Sequence, residues 1–261
     1  MGAILAVLLA IPLVLMYHRV DVSSPGDRTS RALTVSPAQF AAELTYLHSK
    51  GLRTIGIDDL AREMADGRPL ERAVLITFDD GYGDQFRYAF PILERFGDRA
   101  TFFVNTGNVG KGQHLTWEEL GVMGASGMSI ECHGVDHRDL SSLDGERQRY
   151  EIDDCIASLQ RRLHAAVRAY AYPSGAFDAQ TIVIEEQAGL SFGFTTDPWF
   201  QTETGSPYQL TRLRVTGGMT PADFATLIDS GLAHLQSVPL RVDVRELGAE
   251  KNDLRGVVHP Y

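Results

Sequence analysis

Along the chain, short uninterrupted apolar runs alternate with segments whose apolar residues recur every three to four positions. The runs at 13–17, 73–78, 100–104, 128–131, 169–172, 191–195 and 210–215 are bounded by turn residues, so they read as strands of a sheet buried on both faces. Helical periodicity covers 36–51, 58–65, 86–96, 116–125, 144–167, 178–188 and 221–235. In the first of these, Ser36-Pro37 supplies a cap and a first-turn proline, Phe40, Leu44 and Leu47 follow at helical spacing, and Gly51 ends the segment. Strands that alternate with helices at this density predict an α/β fold with a parallel sheet. A (β/α) barrel fits better than an open doubly wound sheet, because no GxGxxG or GxxxxGK[ST] follows any strand. No linker, charge block or internal repeat divides the series. One domain over residues 11–237 is expected, with an apolar segment at residues 1–10 and an extension at residues 238–261.

Composition narrows the possibilities. The chain has 261 residues, with 24 Lys+Arg against 34 Asp+Glu and a net charge of −10, which repels a phosphate-covered partner and argues against nucleic acid. Ordinary shares of hydrophobic (44%) and charged (22%) residues argue for a folded core rather than disorder. Two cysteines, Cys132 and Cys155, form no CxxC pair and cannot build a disulfide framework, so they read as free thiols, with a single bridge left open. The first charged side chain is Arg19, but Pro12 interrupts the preceding stretch, which falls short of the about 20 residues of a membrane span. That stretch also lacks the Lys or Arg that opens a signal peptide, although Leu8-Leu9-Ala10 could end a short one. A buried strand preceded by a few apolar residues is the simpler reading, and an export-signal remnant at residues 1–10 stays open.

Three strand ends carry chemistry. In Ile76-Thr77-Phe78-Asp79-Asp80-Gly81-Tyr82, two adjacent carboxylates follow an apolar strand, where desolvation is costly unless one binds a cation or a proton. The same Asp-Asp-Gly is also ordinary turn and cap chemistry. In Glu131-Cys132-His133-Gly134-Val135-Asp136-His137, two imidazoles four residues apart can converge on one ion. Two His and one carboxylate with an open position form the donor set of a catalytic divalent site, the bland alternative being two surface histidines. His18, at the end of the first strand, is suited to proton transfer near neutral pH or is a satisfied structural histidine. Two later loops, Tyr172-Pro173-Ser174-Gly175 and Thr195-Thr196-Asp197-Pro198-Trp199, offer aromatics for a sugar ring, and Asp197 could orient an imidazole. Arg212 and Arg214 share one strand face, and an inward Arg needs a carboxylate partner.

Taken in order, Thr77-Phe78-Asp79-Asp80-Gly81, His133-Gly134-Val135-Asp136-His137 and Tyr172-Pro173-Ser174-Gly175 resemble the polysaccharide deacetylases of carbohydrate esterase family four. The opening Leu15-Met16-Tyr17-His18-Arg19-Val20 resembles the branch whose motifs are circularly permuted, typified by the poly-N-acetylglucosamine deacetylases of bacterial biofilm systems. The resemblance implies a distorted (β/α)7 barrel, one divalent ion and hydrolysis of N-acetyl groups on an amino-sugar polymer. It implies Asp80, His133 and His137 as metal ligands, Asp79 as the general base and His18 as the general acid. The backbone N–H of Tyr82 would face the oxyanion, Tyr172, Pro173 and Trp199 would line the substrate pocket, and Asp197 and Arg212 would support the catalytic groups. Zn2+ is the expected ion, with Co2+, Ni2+ or Mn2+ as alternatives. Two departures stand out: Gly134 occupies a position where the family commonly has Ser or Thr, which removes a hydroxyl and its hydrogen bond. No Arg precedes Tyr172-Pro173, and Arg212 is the substitute expected to hold the base.

The function expected is therefore metal-dependent N-deacetylation of an N-acetylglucosamine-containing polysaccharide. O-deacetylation of xylan or a related glycan, and a silent carbohydrate-binding domain, are the alternatives. A polysaccharide or oligosaccharide is the expected partner, outside the cytoplasm or at the cell surface on the family's precedent, with a cytoplasmic site as the alternative. No stable transmembrane span is expected, and the oligomeric state is open.

Overall fold

The computed structural model describes residues 11–23, 26–68, 70, 72–198 and 206–237. The chain enters through β1 (Leu13–Tyr17), passes β2 (Arg19–Val20), α1 (Arg28–Leu33) and β3 (Thr34–Val35), and reaches α2 (Pro37–Ser49). β4 (Arg53–Ile55), α3 (Ile57–Ala65) and β5 (Ala73–Phe78) follow, then a π-helical segment, Gln85–Ala89, runs into α4 (Phe90–Phe96). After β6 (Thr101–Val104), α5 (Trp117–Ala125) and β7 (Ser129–Cys132) come α6 (Gly145–Arg149), a second π-helical segment, Tyr150–Asp154, and α7 (Cys155–Leu163). The series ends with β8 (Ala169–Ala171), α8 (Ala179–Gln187), β9 (Phe192–Phe194), β10 (Leu213–Arg214) and α9 (Pro221–Ser237).

The strands form a curled parallel sheet in the order β10-β1-β5-β6-β7-β8-β9, with β4 paired to the first half of β5. The ring closes through Leu210, which pairs with Phe194 on one side, while β10, three residues on, pairs with β1 on the other. This is the (β/α)7 barrel architecture in a single domain. Strand alternation divides its core in two. Leu15, Tyr17, Val74, Ile76, Phe78, Phe102, Val104, Tyr170 and Tyr172 face the helices. Val14, Leu75, Phe103, Ala169, Ala171, Phe192 and Phe194 fill the interior, joined by Ile57, Leu60 and Met64 of α3. α3 meets the amino-terminal strand ends: the Ile57 N–H donates to Ser129 Oγ (3.0 Å), and Asp58 pairs with Arg168 at 2.9 Å. That end is plugged, so only the carboxyl-terminal end is available for chemistry.

The structure departs from the sequence reading in three places. β2, α1, β3 and β4 are too short for periodicity to register. The single helix expected over 144–167 is two α-helices joined by a π-helical segment, and it stops at Leu163 because His164 turns left-handed (φ 53°). The free-thiol reading is also corrected: Cys132, closing β7, and Cys155, opening α7, are disulfide-bonded with Cα atoms 6.0 Å apart. Packing of α7 on β7 brings together two residues that the linear pattern gave no reason to pair. Residues 1–10 and 238–261, expected as an apolar segment and an extension, lie outside the described residues. Among the described residues no helix is long and apolar enough to cross a membrane.

Candidate active site

β1, β5 and β7 end at one rim of the barrel and deliver His18, Asp79-Asp80 and His133 respectively. Immediately after β5 the backbone reverses through Asp80 (φ 71°) and Gly81 (φ 70°), and left-handed geometry at a non-glycine is costly enough to mark a site under constraint. The reversal brings Asp80 Oδ1 to 3.5 Å from His133 Nε2 and 3.2 Å from His137 Nε2. The two imidazoles cross at 74° with centroids 4.9 Å apart. One ligand atom from each of the three residues lies within 4.8 Å of the others, the one such group among the described residues. His133 Nδ1 is 2.6 Å from the carbonyl of Ala171, which can only accept, so Nδ1 donates there and fixes the ring with Nε2 facing Asp80. Burial works against the charge on Asp80, yet hydrogen bonds from His133 and His137 hold its carboxyl well below the usual carboxylate range. His137 moves the opposite way, its pKa raised chiefly by the hydrogen bond to Asp80. Two imidazole nitrogens and a carboxylate oxygen facing one point fit a divalent ion with open positions.

Asp79 points into the barrel interior and is buried. Arg212, also fully buried, forks onto it with N–O distances of 2.6 and 2.8 Å. The guanidinium is itself aimed by the carbonyl of Thr195 (2.9 Å) and by Thr77 Oγ1 (3.3 Å). Burial opposes ionisation of Asp79, but Arg212, with His133 and His18 adding to it, holds the carboxyl below its ordinary value. His18 is half-buried beside both acids, and its pKa is lowered because burial outweighs the attraction of Asp79 and Asp80. Among the described residues nothing hydrogen-bonds its Nδ1.

Sequence reasoning missed two residues here. Gln85, fully buried in the first π-helical segment, donates through Nε2 to the carbonyls of His18 and Asp79, both at 2.7 Å, and so ties the candidate acid and base together. Glu151, in the second π-helical segment, accepts the backbone N–H groups of Val135 and Asp136. Neither residue belongs to a motif, and each lies in a segment where a regular helical period assigns faces incorrectly.

The remaining expected residues divide. Tyr82 is half-buried at the rim, its ring stacked on His114 (5.3 Å between centroids) with the Arg19 guanidinium 4.7 Å from its centre. Burial and the nearby Asp80 raise its phenol pKa. Tyr172 is corrected as a pocket-lining residue: it sits on the outward face of the strand, and its hydroxyl donates to Glu185 Oε2 at 2.6 Å. Pro173 is buried at the start of a 3-10 turn. Asp197 is exposed, with its backbone N–H on Thr195 Oγ1, and the ring of His133 is oriented by the carbonyl of Ala171. Trp199 lies outside the described residues.

Comparison with known proteins follows this geometry. A family model described as polysaccharide deacetylase matches residues 66–193. YxkH of Bacillus subtilis, a protein assigned to the polysaccharide deacetylases, is 33% identical over 218 residues, covering 83% of this chain and 76% of that one. The poly-beta-1,6-N-acetyl-D-glucosamine N-deacetylase of Staphylococcus aureus is 23% identical over 227 residues, 78% of each chain. Among solved structures, the Streptococcus pyogenes deacetylase PplD in complex with acetate superposes with a TM-score of 0.76 at 29% identity, covering 83% of this chain and 97% of PplD. The family model spans the strand ends that carry Asp79-Asp80 and His133, and the likeness to YxkH and to PplD each covers 83% of the chain, so this chain belongs to the polysaccharide deacetylase family.

Proposed function

We propose that the protein removes N-acetyl groups from an N-acetylglucosamine-containing polysaccharide. The observation that carries this reading is the juxtaposition at one rim of a buried, Arg-held carboxylate (Asp79) and a convergent Asp80, His133 and His137 set. The substrate named for the Staphylococcus aureus relative supports the choice of polymer.

Asp80, His133 and His137 would hold one divalent ion, Zn2+ being best suited to a nitrogen-rich donor set, with Co2+, Ni2+ and Mn2+ as alternatives. Such an ion, when bound, polarises the amide carbonyl and lowers the pKa of water to about 7. Asp79, kept anionic by Arg212, takes the proton from the attacking water. An amine leaves poorly unless protonated, and His18, just past the end of the neighbouring strand β1, delivers a proton to the leaving nitrogen. The backbone N–H of Tyr82 faces the developing oxyanion, and Gln85 keeps acid and base at fixed separation. A polymeric substrate is met outside the cytoplasm, which is where we place the activity.

The test pairs elemental analysis with acetate release. Purified protein is expected to carry about one divalent ion per chain and to release acetate from N-acetylglucosamine oligomers. Asp79→Asn keeps the ion and loses roughly 10³-fold in kcat. Full activity in that variant removes Asp79 from its role. Release from acetylxylan alone moves the protein to O-deacetylation, and oligosaccharide binding with no release from any glycan makes it a silent binding domain.

A further inference from the structure

We infer that Glu151 is the positioning residue for the two histidines, and that Gly134 is glycine because Glu151 occupies the space a side chain there would need. The inference deepens the metal-holding reading of Asp80, His133 and His137 and rests on it.

His133 ends a strand, and His137 must double back to face the same carboxylate within four residues. The chain achieves this with two left-handed residues, Gly134 (φ 87°) and His137 (φ 56°), in a loop that no ladder of strand hydrogen bonds supports. Its backbone groups are satisfied from two sides. The carbonyls of Gly134 and Val135 accept the N–H groups of Thr106 and Gly107, each at 3.0 Å. The N–H groups of Val135 and Asp136 both donate to Glu151 Oε2, at 2.7 and 2.9 Å. Successive N–H groups directed at one carboxylate oxygen make an anion-binding concavity, and charge-assisted bonds of this kind are about twice as strong as neutral ones. Glu151 is buried, with 1% of its surface exposed, so the contact is dry and fixed.

The same carboxylate explains the glycine. A Cβ on Gly134 would lie 2.7 Å from Glu151 Oε2 and 3.0 Å from the hydroxyl of Tyr170, closer than packed carbon atoms approach, and φ 87° penalises a side chain independently. A hydroxyl residue at 134 and a carboxylate at 151 therefore compete for one volume. In this chain the carboxylate fills it, brought there from the helix by the second π-helical segment, where Glu151 and Ile152 are both buried. The disulfide between Cys132 and Cys155 joins the strand before His133 to the helix that follows Glu151, so both ends of the clasp share one rigid frame.

The test measures zinc dissociation constants by chelator competition, and amide hydrogen exchange at Val135 and Asp136 in metal-free protein, for wild type, Glu151→Gln, Glu151→Ala, Gly134→Ser and the Gly134→Ser/Glu151→Ala double variant. Removing Glu151 is expected to weaken zinc about tenfold or more and to abolish protection of the two amides, while amides of the barrel strands in the folded metal-free protein stay protected. Glu151→Gln, which keeps an acceptor oxygen without the charge, falls between. The double variant binds zinc better than the product of the single effects allows, because the vacated space admits the serine. Protected amides in folded Glu151→Ala, zinc affinity within a factor of two of wild type, or strictly multiplicative effects in the double variant each overturn the inference. A wild type that binds no zinc overturns the metal reading and the inference together. A wild type that binds zinc but releases no acetate overturns only the proposed function.

Discussion

Arg212 carries more of the site than any other single side chain outside the ligands. It makes four hydrogen bonds, to Asp79, Thr77 and the carbonyl of Thr195, in a fully buried setting. A buried pair contributes little beyond a hydrophobic isostere, but removing one member leaves a desolvated charge that costs about 3–5 kcal/mol. Arg212→Met is therefore expected to melt several degrees lower and to move the acidic limb of the kcat/KM profile to higher pH, because Asp79 loses the charge that holds its pKa down. Arg212→Lys keeps the charge without the fork and falls between. A wild-type pH profile in Arg212→Met sinks this account. The residue was legible in advance because Arg212 and Arg214 alternate on one strand face and an inward Arg demands an acid. Tyr172 was not, because a Tyr-Pro-Ser-Gly motif announces a turn without saying which face of the strand the tyrosine takes. With Ala169 and Ala171 turned inward, Tyr170 and Tyr172 must turn outward.

Two π-helical segments interrupt otherwise regular helices, and each presents one buried polar side chain to a catalytic loop. An extra residue in a helical turn shifts every following side chain around the axis, which is how π segments come to sit at functional sites. It is also why a 3.6-residue period reads 86–96 and 144–167 as ordinary amphipathic helices and gives no hint of Gln85 or Glu151. Gln85 supplies the direct test. Gln85→Leu conserves volume but leaves the carbonyls of His18 and Asp79 unpaired, at a cost of about 1–3 kcal/mol each. If, as proposed, the two groups transfer protons on opposite sides of the scissile bond, their relative placement governs turnover more than binding. The variant is expected to lose about tenfold or more in kcat with KM changed little, a split that steady-state kinetics on an N-acetylglucosamine oligomer resolves. An unchanged kcat in folded Gln85→Leu shows that the tie is structural only.

At the scale of the molecule, barrel closure brings together residues as far apart in sequence as His18 and Arg212, and strand order, unlike strand existence, leaves no trace in periodicity. The same closure buries charge, and that has a consequence for stability against pH. Burial raises Glu43 to about 7 despite hydrogen bonds from Gln39 and Tyr17, and raises Glu131 to about 8 despite the N–H groups of Arg168 and Ala169. Both start from 4.5, so the folded state binds these protons more tightly than the unfolded chain. Their contribution is complete below about 4.5 and is lost as pH rises through about 7 and 8. His137, raised by Asp80, acts in the same direction, and a net charge of −10 adds self-repulsion at neutral pH. Asp79 and Asp80 act oppositely: their carboxyls are lowered, so their stabilisation is present above 3.8 and is lost as pH falls through the folded values. His18, with its lowered pKa, opposes the trend only as pH falls below 6.5. Metal-free protein, stripped with chelator so that ion binding adds no pH dependence of its own, is expected to melt highest near pH 5 and to lose stability toward pH 8. Glu43 alone accounts for at most roughly 3 kcal/mol of that fall, a change on the order of 5 °C in Tm. Glu43→Gln should match wild type near pH 5 and exceed it at pH 8, and Glu131→Gln should reduce the fall further, leaving the part that comes from Glu185 and His137. A melting temperature that stays level or rises from pH 5 to 8 in wild type means that these carboxyls are solvated or paired in the folded protein, and the buried-acid account fails with it.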